Sequence, residues 1–343
     1  MLLAPILALA LTPQVAQVEA VIQTQIESPG GSLEAAFGRV ADLAVDGAGN
    51  AYVLDDRTNR VLVFAESGDH LRTFGRSGRG PGELNRPMRI DVRGEVVTVL
   101  NPSAQSSSFA LTGDPIASWQ LPFGAQTATR IDEQRYAVLI SAAVSGNNPT
   151  PIETLVLVGA DMMDTVMTVP SSDILFEGPT SATALRTSLC RQAYFVIGEE
   201  DHLWVASGVD GTLTEWRSVD GVAEPGRSIV LAPAAVPLPD STRAELVSRL
   251  PRQFDPEAGD LYLPANLSSI CGLELSSDGV LWVRLGDVSG RERWSAVEVA
   301  TLRPTRELTA PDGVHMSAFS GEMAYGVWVD EAGAPNVMVY RIE

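Results

Sequence analysis

Two stretches of this chain repeat one another at a constant offset. Phe64-Ala65-Glu66-Ser67-Gly68-Asp69 lines up with Phe109-Ala110-Leu111-Thr112-Gly113-Asp114, and Trp119 falls where Phe74 stood, each 45 residues on. A period of that length is one supersecondary unit that cannot bury its own faces, so identical neighbours must cover it. Within Val40 to Arg89 the unit reads as four short strands: Val40 to Val45, Ala51 to Leu54, Arg60 to Phe64 and His70 to Phe74. Gly, Asp and Asn turns of hairpin type join them, which makes each unit one small antiparallel sheet.

The second strand of the unit can be followed through the chain as AYVLD (51–55), VTVLN (97–101), YAVLI (136–140), LWVAS (203–207), LWVRL (281–285) and AYGVW (324–328). Six units follow. Tyr52, Trp204, Trp282 and Tyr325 share one register of that strand, where large rings serve packing between neighbouring sheets. The last unit has only three evident strands. The alternating stretch Val21 to Glu27 has no hairpin partner beside it and supplies the fourth, which closes a ring and removes its free ends. The expected fold is therefore all-β, a six-bladed β-propeller of four-stranded antiparallel blades whose last blade is closed by the N-terminal strand. Two spacings exceed a blade: the excess lies at Pro170 to Ser188 and at Leu231 to Ser269. The second carries one short inserted helix over Thr242 to Leu250 that Asp240 or Ser241 can cap. Both insertions join the outer strand of one blade to the inner strand of the next, at the channel mouth.

The Val40 to Arg89 segment is similar to an NHL-type β-propeller blade. Gly75-Arg76-Ser77-Gly78-Arg79-Gly80-Pro81-Gly82-Glu83-Leu84 resembles the GxxGxGPGEF-like connector of bacterial six-bladed propeller proteins. Members of such families are mostly exported proteins, so the resemblance implies a fold and a compartment more than an activity.

Charge narrows the partners. A formal net charge of −19 argues against nucleic acid and against anionic membrane surfaces. All 24 basic residues are arginine, which excludes Schiff-base and lysine-nucleophile chemistry. Leu2 to Leu11 is a short apolar run, and Val18-Glu19-Ala20 places small residues as a signal peptidase requires. The expectation is a signal peptide over residues 1–20, a single propeller domain over 21–343, and a periplasmic or extracellular monomer. A buried N-terminal strand is the other reading of that run.

No nucleophile, phosphate-loop or dinucleotide motif stands in the right context, and His70, His202 and His315 are placed too far apart to share a metal. No catalytic set, metal or cofactor is expected. Arginine instead recurs near the starts of the inner strands: Arg39, Arg86, Arg89, Arg130 and Arg191, with His315 at the last. In so acidic a chain such a cluster suits the docking of a carboxylate, phosphate or sulfate group, unless each arginine pairs with a local acid such as Asp42, Asp91 or Asp132. Cys190 and Cys271, the only cysteines, each precede an inner strand of adjacent units and can bridge in an oxidising compartment; two buried free thiols is the other state open to them. The functional expectation is an exported binding module that takes a small anionic molecule or a protein partner at the channel mouth. The alternatives are a channel-site lyase or hydrolase and a structural, surface-assembly protein.

Overall fold

The computed structural model describes residues 15–26, 37–102, 105–143, 151–159, 162–177, 182–185, 190–198, 202–219, 222–232, 236–251, 254, 259–286 and 291–343. The apolar run Leu2 to Leu11 lies outside them.

Six four-stranded antiparallel blades follow in chain order. Blade one is Val40–Val45, Ala51–Asp55, Arg60–Phe64 and His70–Phe74; blade two is Arg89–Arg93, Val96–Asn101, Gln105–Ala110 and Pro115–Gln120. Blade three is Ala125–Arg130, Tyr136–Ala143, Pro151–Val158 and Met163–Pro170; blade four is Ala193–Ile197, Leu203–Ser207, Thr212–Val219 and Val222–Val230. Blade five is Ile270–Leu275, Val280–Leu285, Arg293–Glu298 and Arg303–Thr309. Blade six is Val314–Ser320, Met323–Val329 and Pro335–Ile342, and its outer strand is Ala20–Ile26, with Ala20 opposite Ile342 and Ile26 opposite Val337. The expected closure is thus present.

Hydrophobic clusters show why the ring is the stable solution. One cluster fills each junction between consecutive blades: Leu43 and Val53 meet Tyr325 and Val339 between blades six and one, Tyr52 and Leu54 meet Val97 and Phe109 between one and two, and so on round to Trp282 and Phe319 between five and six. Alternation puts odd and even residues of a strand into different junctions, so every blade is apolar on both faces. The repeated rings behave as expected. Tyr52, Trp204, Trp282 and Tyr325 are fully buried. On three of them an arginine from the outer strand lies over the ring: Arg72 on Tyr52, Arg227 on Trp204 and Arg306 on Trp282, at 5.8, 5.8 and 5.4 Å. Each such contact contributes about 1 kcal/mol. Gly68 and Gly113, equivalent in the repeat, both have a left-handed backbone (φ 90° and 94°), and a Cβ on Gly113 would stand 2.7 Å from Phe74 of blade one. Glycine there serves both the turn and the blade contact.

Three features depart from the sequence reading. Ala16–Val18, read as the end of a leader, lies parallel to Arg306–Leu308 as a fifth strand on blade five. The inserted helix spans Asp240–Ser248; Asp240 sits in its first turn, and the cap position, Pro239, offers no side-chain bond. The two insertions also form one body: Ile174–Glu177 pairs with Ala182–Leu185 and with Asp260–Tyr262, and Ile174, Leu238 and Leu246 share a small core with Leu261 and Leu267. Ile174 lies more than 60 positions from the leucines it packs on, a match that periodicity cannot make because it sees each insertion alone.

In blade four the Glu215 carboxylate accepts from Arg217 (3.0 Å) and from Arg227 Nε (2.9 Å), with His202 Nδ1 at 3.2 Å. The Arg227 hydrogen bond, above all, drives its carboxyl down to about 2. Arg227 also donates to the Ala300 carbonyl of blade five at 2.8 Å. Glu215 itself is fully covered, but by arginine side chains 43% and 50% exposed, so water screens the pair. Its depressed value means the stabilisation is complete above the unfolded-state pKa and is lost as pH falls through about 2. Glu215→Gln is expected to cost about 2 kcal/mol at pH 7 after allowance for that screening, and almost nothing near pH 2, as urea melts at the two pH values would read. An equal cost at both would show that packing, not charge, holds the cluster.

Candidate functional site

The inner strands all start at one end of the ring, and their side chains and backbones line a central channel of about 1040 Å³. Its wall carries Arg89, Arg191, Arg284 and His315 near the mouth, Asp42, Asp91 and Glu274 further in, and Arg93 at the far end. The Arg93 guanidinium reaches across the ring: it donates to the carbonyls of Ile131 (2.5 Å) and Gly198 (3.1 Å), tying blades two, three and four together beneath the channel.

At the mouth, Arg89 opens the inner strand of blade two and faces Asp42 of blade one at 3.8 Å, a loose pair with the arginine 43% exposed. The other Asp42 oxygen accepts the Ile90 amide at 3.0 Å. Burial nevertheless pushes the Asp42 carboxyl up, against the pull of Arg89. Deeper, burial drives the Asp91 carboxyl up to about 6, with Arg93 opposing and Asp42 assisting. Glu274 on blade five is raised well above the ordinary carboxylate range by burial and by the charges of Asp42 and Asp91. Carboxyl groups from three blades therefore converge in poorly solvated space, where they cannot all ionise cheaply.

A second group gathers between blades five and six. Glu292 Oε1 accepts from Arg284 at 2.7 Å and from His315 Nδ1, while its other oxygen accepts the Met316 amide at 3.1 Å. Burial acts to raise the Glu292 carboxyl, but the His315 bond, the His315 charge and Arg284 together hold it below its usual range. Arg284 also donates twice to the Cys271 carbonyl, at 3.0 and 2.7 Å. Since the carboxylate is an acceptor only, His315 donates to it from Nδ1, and Nε2 makes none of these contacts. His315 is 60% exposed. On the opposite wall the Glu153 carboxylate accepts the amides of Gln192 and Ala193 at 3.2 and 3.3 Å, and the Arg191 amide donates to Tyr194 Oη at 2.8 Å. Cys190 and Cys271 are joined by a disulfide, with Cα atoms 4.9 Å apart, and the bond ties the roots of the two insertions together beside the channel.

Of the arginines expected at the mouth, Arg89 and Arg191 are there, with His315. Arg39 and Arg86 line a different groove on the same face, and Arg39 pairs with Asp56. Arg130 is at the wrong end. Its strand starts at Ala125, after the left-handed Gly124 (φ 89°), so Arg130 is the strand's last residue and its Nε donates to the Asp132 carbonyl at 2.8 Å. Alternation of apolar residues locates a strand but not which end meets the channel; Pro122-Phe123-Gly124 was the turn signal that would have corrected the register. Asp91, Glu274, Arg284 and Glu292 were not anticipated as a set, because they come from different strands of different blades and share no spacing. The histidines lie apart: His70 bonds Thr73 Oγ1 at 2.8 Å, His202 faces Glu215 and His315 faces Glu292.

A family model described as a 6-bladed beta-propeller matches residues 34–147. Among solved structures, one from Bacteroides fragilis NCTC 9343, of a protein assigned as exported, superposes with a TM-score of 0.53 at 12% identity, covering 95% of each chain. A chain described under the mitotic checkpoint complex covers 100% of each at 10% identity with a TM-score of 0.47, too low to support any reading. No curated protein matches this chain. The family model and the Bacteroides fragilis structure agree with the propeller fold and leave the activity open. Among the described residues, no helix is long and apolar enough to cross a membrane.

Proposed function

We propose that this six-bladed propeller is an exported binding module, acting as a single domain over residues 21–343 after removal of a leader, whose channel mouth docks the anionic group of a small molecule. The observation that carries the reading is the charge of the channel wall. In a chain with 43 acidic residues and 24 arginines, the lining holds, among the described residues, four arginines against five carboxyl groups. Burial raises Glu274 well above the ordinary carboxylate range and Asp91 to about 6, so near neutrality Glu274 gives up charge and Asp91 a smaller part of its own, which brings the lining close to balance in an otherwise acidic chain. The loose 3.8 Å contact of Arg89 with Asp42 leaves its fork open to a planar carboxylate or phosphate. Thermal unfolding in the presence of citrate, phosphate and sulfate tests this: the wild type is expected to gain up to about 2.7 kcal/mol at a hundredfold excess over Kd. Arg89→Ala and Arg191→Ala are expected to abolish the gain. A wild type indifferent to all three anions ends the proposal.

One observation favours a second reading, a channel-site hydrolase or lyase. His315, fixed through Nδ1 by Glu292, presents Nε2 as a proton acceptor at the mouth. On that reading Glu292→Gln would abolish turnover of a substrate while leaving anion-dependent stabilisation in place.

A further inference from the structure

Arg39 and Arg86 do not belong to the channel. Together with Arg57 they line a separate groove of about 650 Å³ over blades six, one and two, on the same face as the channel mouth. No residue is shared between the two linings. Among the described residues three arginines face one acid there, Asp56, and Arg39 takes it. Among the described residues, the guanidinium groups of Arg57 and Arg86 have no acid partner, and both side chains are exposed. Arg57 is held in place all the same: its stem lies on Gly38, where a Cβ would stand 2.9 Å from the arginine Cδ.

Arg86 has a left-handed backbone, φ 54°, a conformation that glycine or asparagine adopts at less cost. Asn59, itself at φ 57°, accepts the Arg86 amide on Oδ1 at 2.6 Å and fixes it there. A long cationic side chain kept at a strained position and without an acid partner is a feature that binding explains and folding does not. The opposite wall is apolar. Val329, 55% exposed, and Pro335 supply it.

From this pairing of free guanidinium groups with an apolar wall, we infer that the groove is a docking site for an acidic peptide segment of a partner protein, one carrying carboxylates beside an aliphatic side chain. A small inorganic anion would leave the valine and proline wall unused. A flat anionic membrane would not enter a concavity, whereas an extended peptide segment can. The volume is in the range of about 300–1,000 Å³ typical of specific clefts, and two planar forks give a carboxylate-bearing chain its register.

The test is fluorescence anisotropy of a labelled octapeptide alternating glutamate and leucine, with a lysine–leucine octapeptide, inorganic phosphate and phosphatidylglycerol vesicles as comparison arms. Wild-type protein is expected to bind the acidic peptide and to lose affinity as salt rises. The double variant Arg57→Ala/Arg86→Asn, which keeps a residue suited to the left-handed backbone, is expected to bind at least tenfold more weakly. Val329→Ser is expected to bind severalfold more weakly with its charge unchanged. Arg89→Ala, in the channel, is expected to bind the peptide as the wild type does, which separates this site from the anion site proposed above. Equal binding by the double variant or by the basic peptide overturns the inference. So does binding of vesicles or phosphate in place of the peptide, or a self-associated species in sedimentation that buries the groove.

Discussion

Replacing Cys190 and Cys271 with serine is expected to lower the unfolding free energy by about 4 kcal/mol, the chain-entropy value for a closed loop of this length. The two residues are 81 positions apart, so the bond removes a large part of the freedom of the unfolded chain. In the native state the loss is smaller, because the two roots stay held by other means. Arg284 donates to the Cys271 carbonyl, the Ser269 amide donates to Gly208, and Ile174–Glu177 still pairs with Asp260–Tyr262. Thermal melts of oxidised wild type and double variant read the difference, as a fall in melting temperature on the order of 8 °C for a domain of this size. Thiol titration of the unreduced, unfolded protein is expected to find none. Two titratable thiols would mean the bridge is not formed, and equal melts with the bridge formed would mean the unfolded chain is already compact.

Asp91→Asn is expected to stabilise the protein at pH 8 by about 3 kcal/mol at most, less whatever water in the channel screens. The sign follows from the raised carboxyl. Asp91 titrates near 6 in the folded protein and near its ordinary value of 3.8 when unfolded, so between these values the folded state holds the proton more tightly. Stability from this group is therefore full below the unfolded value, falls as pH rises to about 6, and stays low above it. Asparagine has nearly the same shape and no charge, so it escapes the penalty at high pH and changes little at pH 3.5. Glu274 and Asp42 are coupled to Asp91, and relief at one position is expected to lower the other two. Arg93 moderates the gain, since it loses the Asp91 charge while keeping its carbonyl partners. Denaturant melts of both proteins at pH 3.5 and pH 8 decide the matter: a variant less stable than wild type at pH 8 would show that Arg93 and Asp91 form a net favourable pair. A carboxylate kept at such a cost is itself a pointer to function.

The repeat of Phe64 to Asp69 in Phe109 to Asp114, the aromatic register of Tyr52, Trp204, Trp282 and Tyr325, and the missing fourth strand of the last unit were enough to call for six blades closed by the N-terminal strand. These are local signals. A period-two pattern says which residues need cover, a glycine at a left-handed turn says where the chain reverses, and a unit short of one strand says where the other terminus must go. Even there, the unit with the weakest turn signal, blade three, reads several residues late, which puts Arg130 at the mouth although it ends its strand at the opposite side of the ring.

The sites answer to a different kind of information. Asp42, Asp91 and Glu274 are ordinary exposed-type acids to any window of sequence; they become a strained cluster only because three inner strands from blades one, two and five meet about one axis. Arg39, Arg86, Arg89 and Arg191 looked equivalent at their strand starts, yet a turn of a residue or two divides them between two cavities. The pairing of the two insertions and the reach of Glu292 to His315 of blade six likewise depend on how separate parts of the ring are set against one another. Hydrophobic burial is nearly indifferent to direction and so is written in composition and period, whereas charge and hydrogen bonding depend on distance and angle, which exist only once the ring has closed.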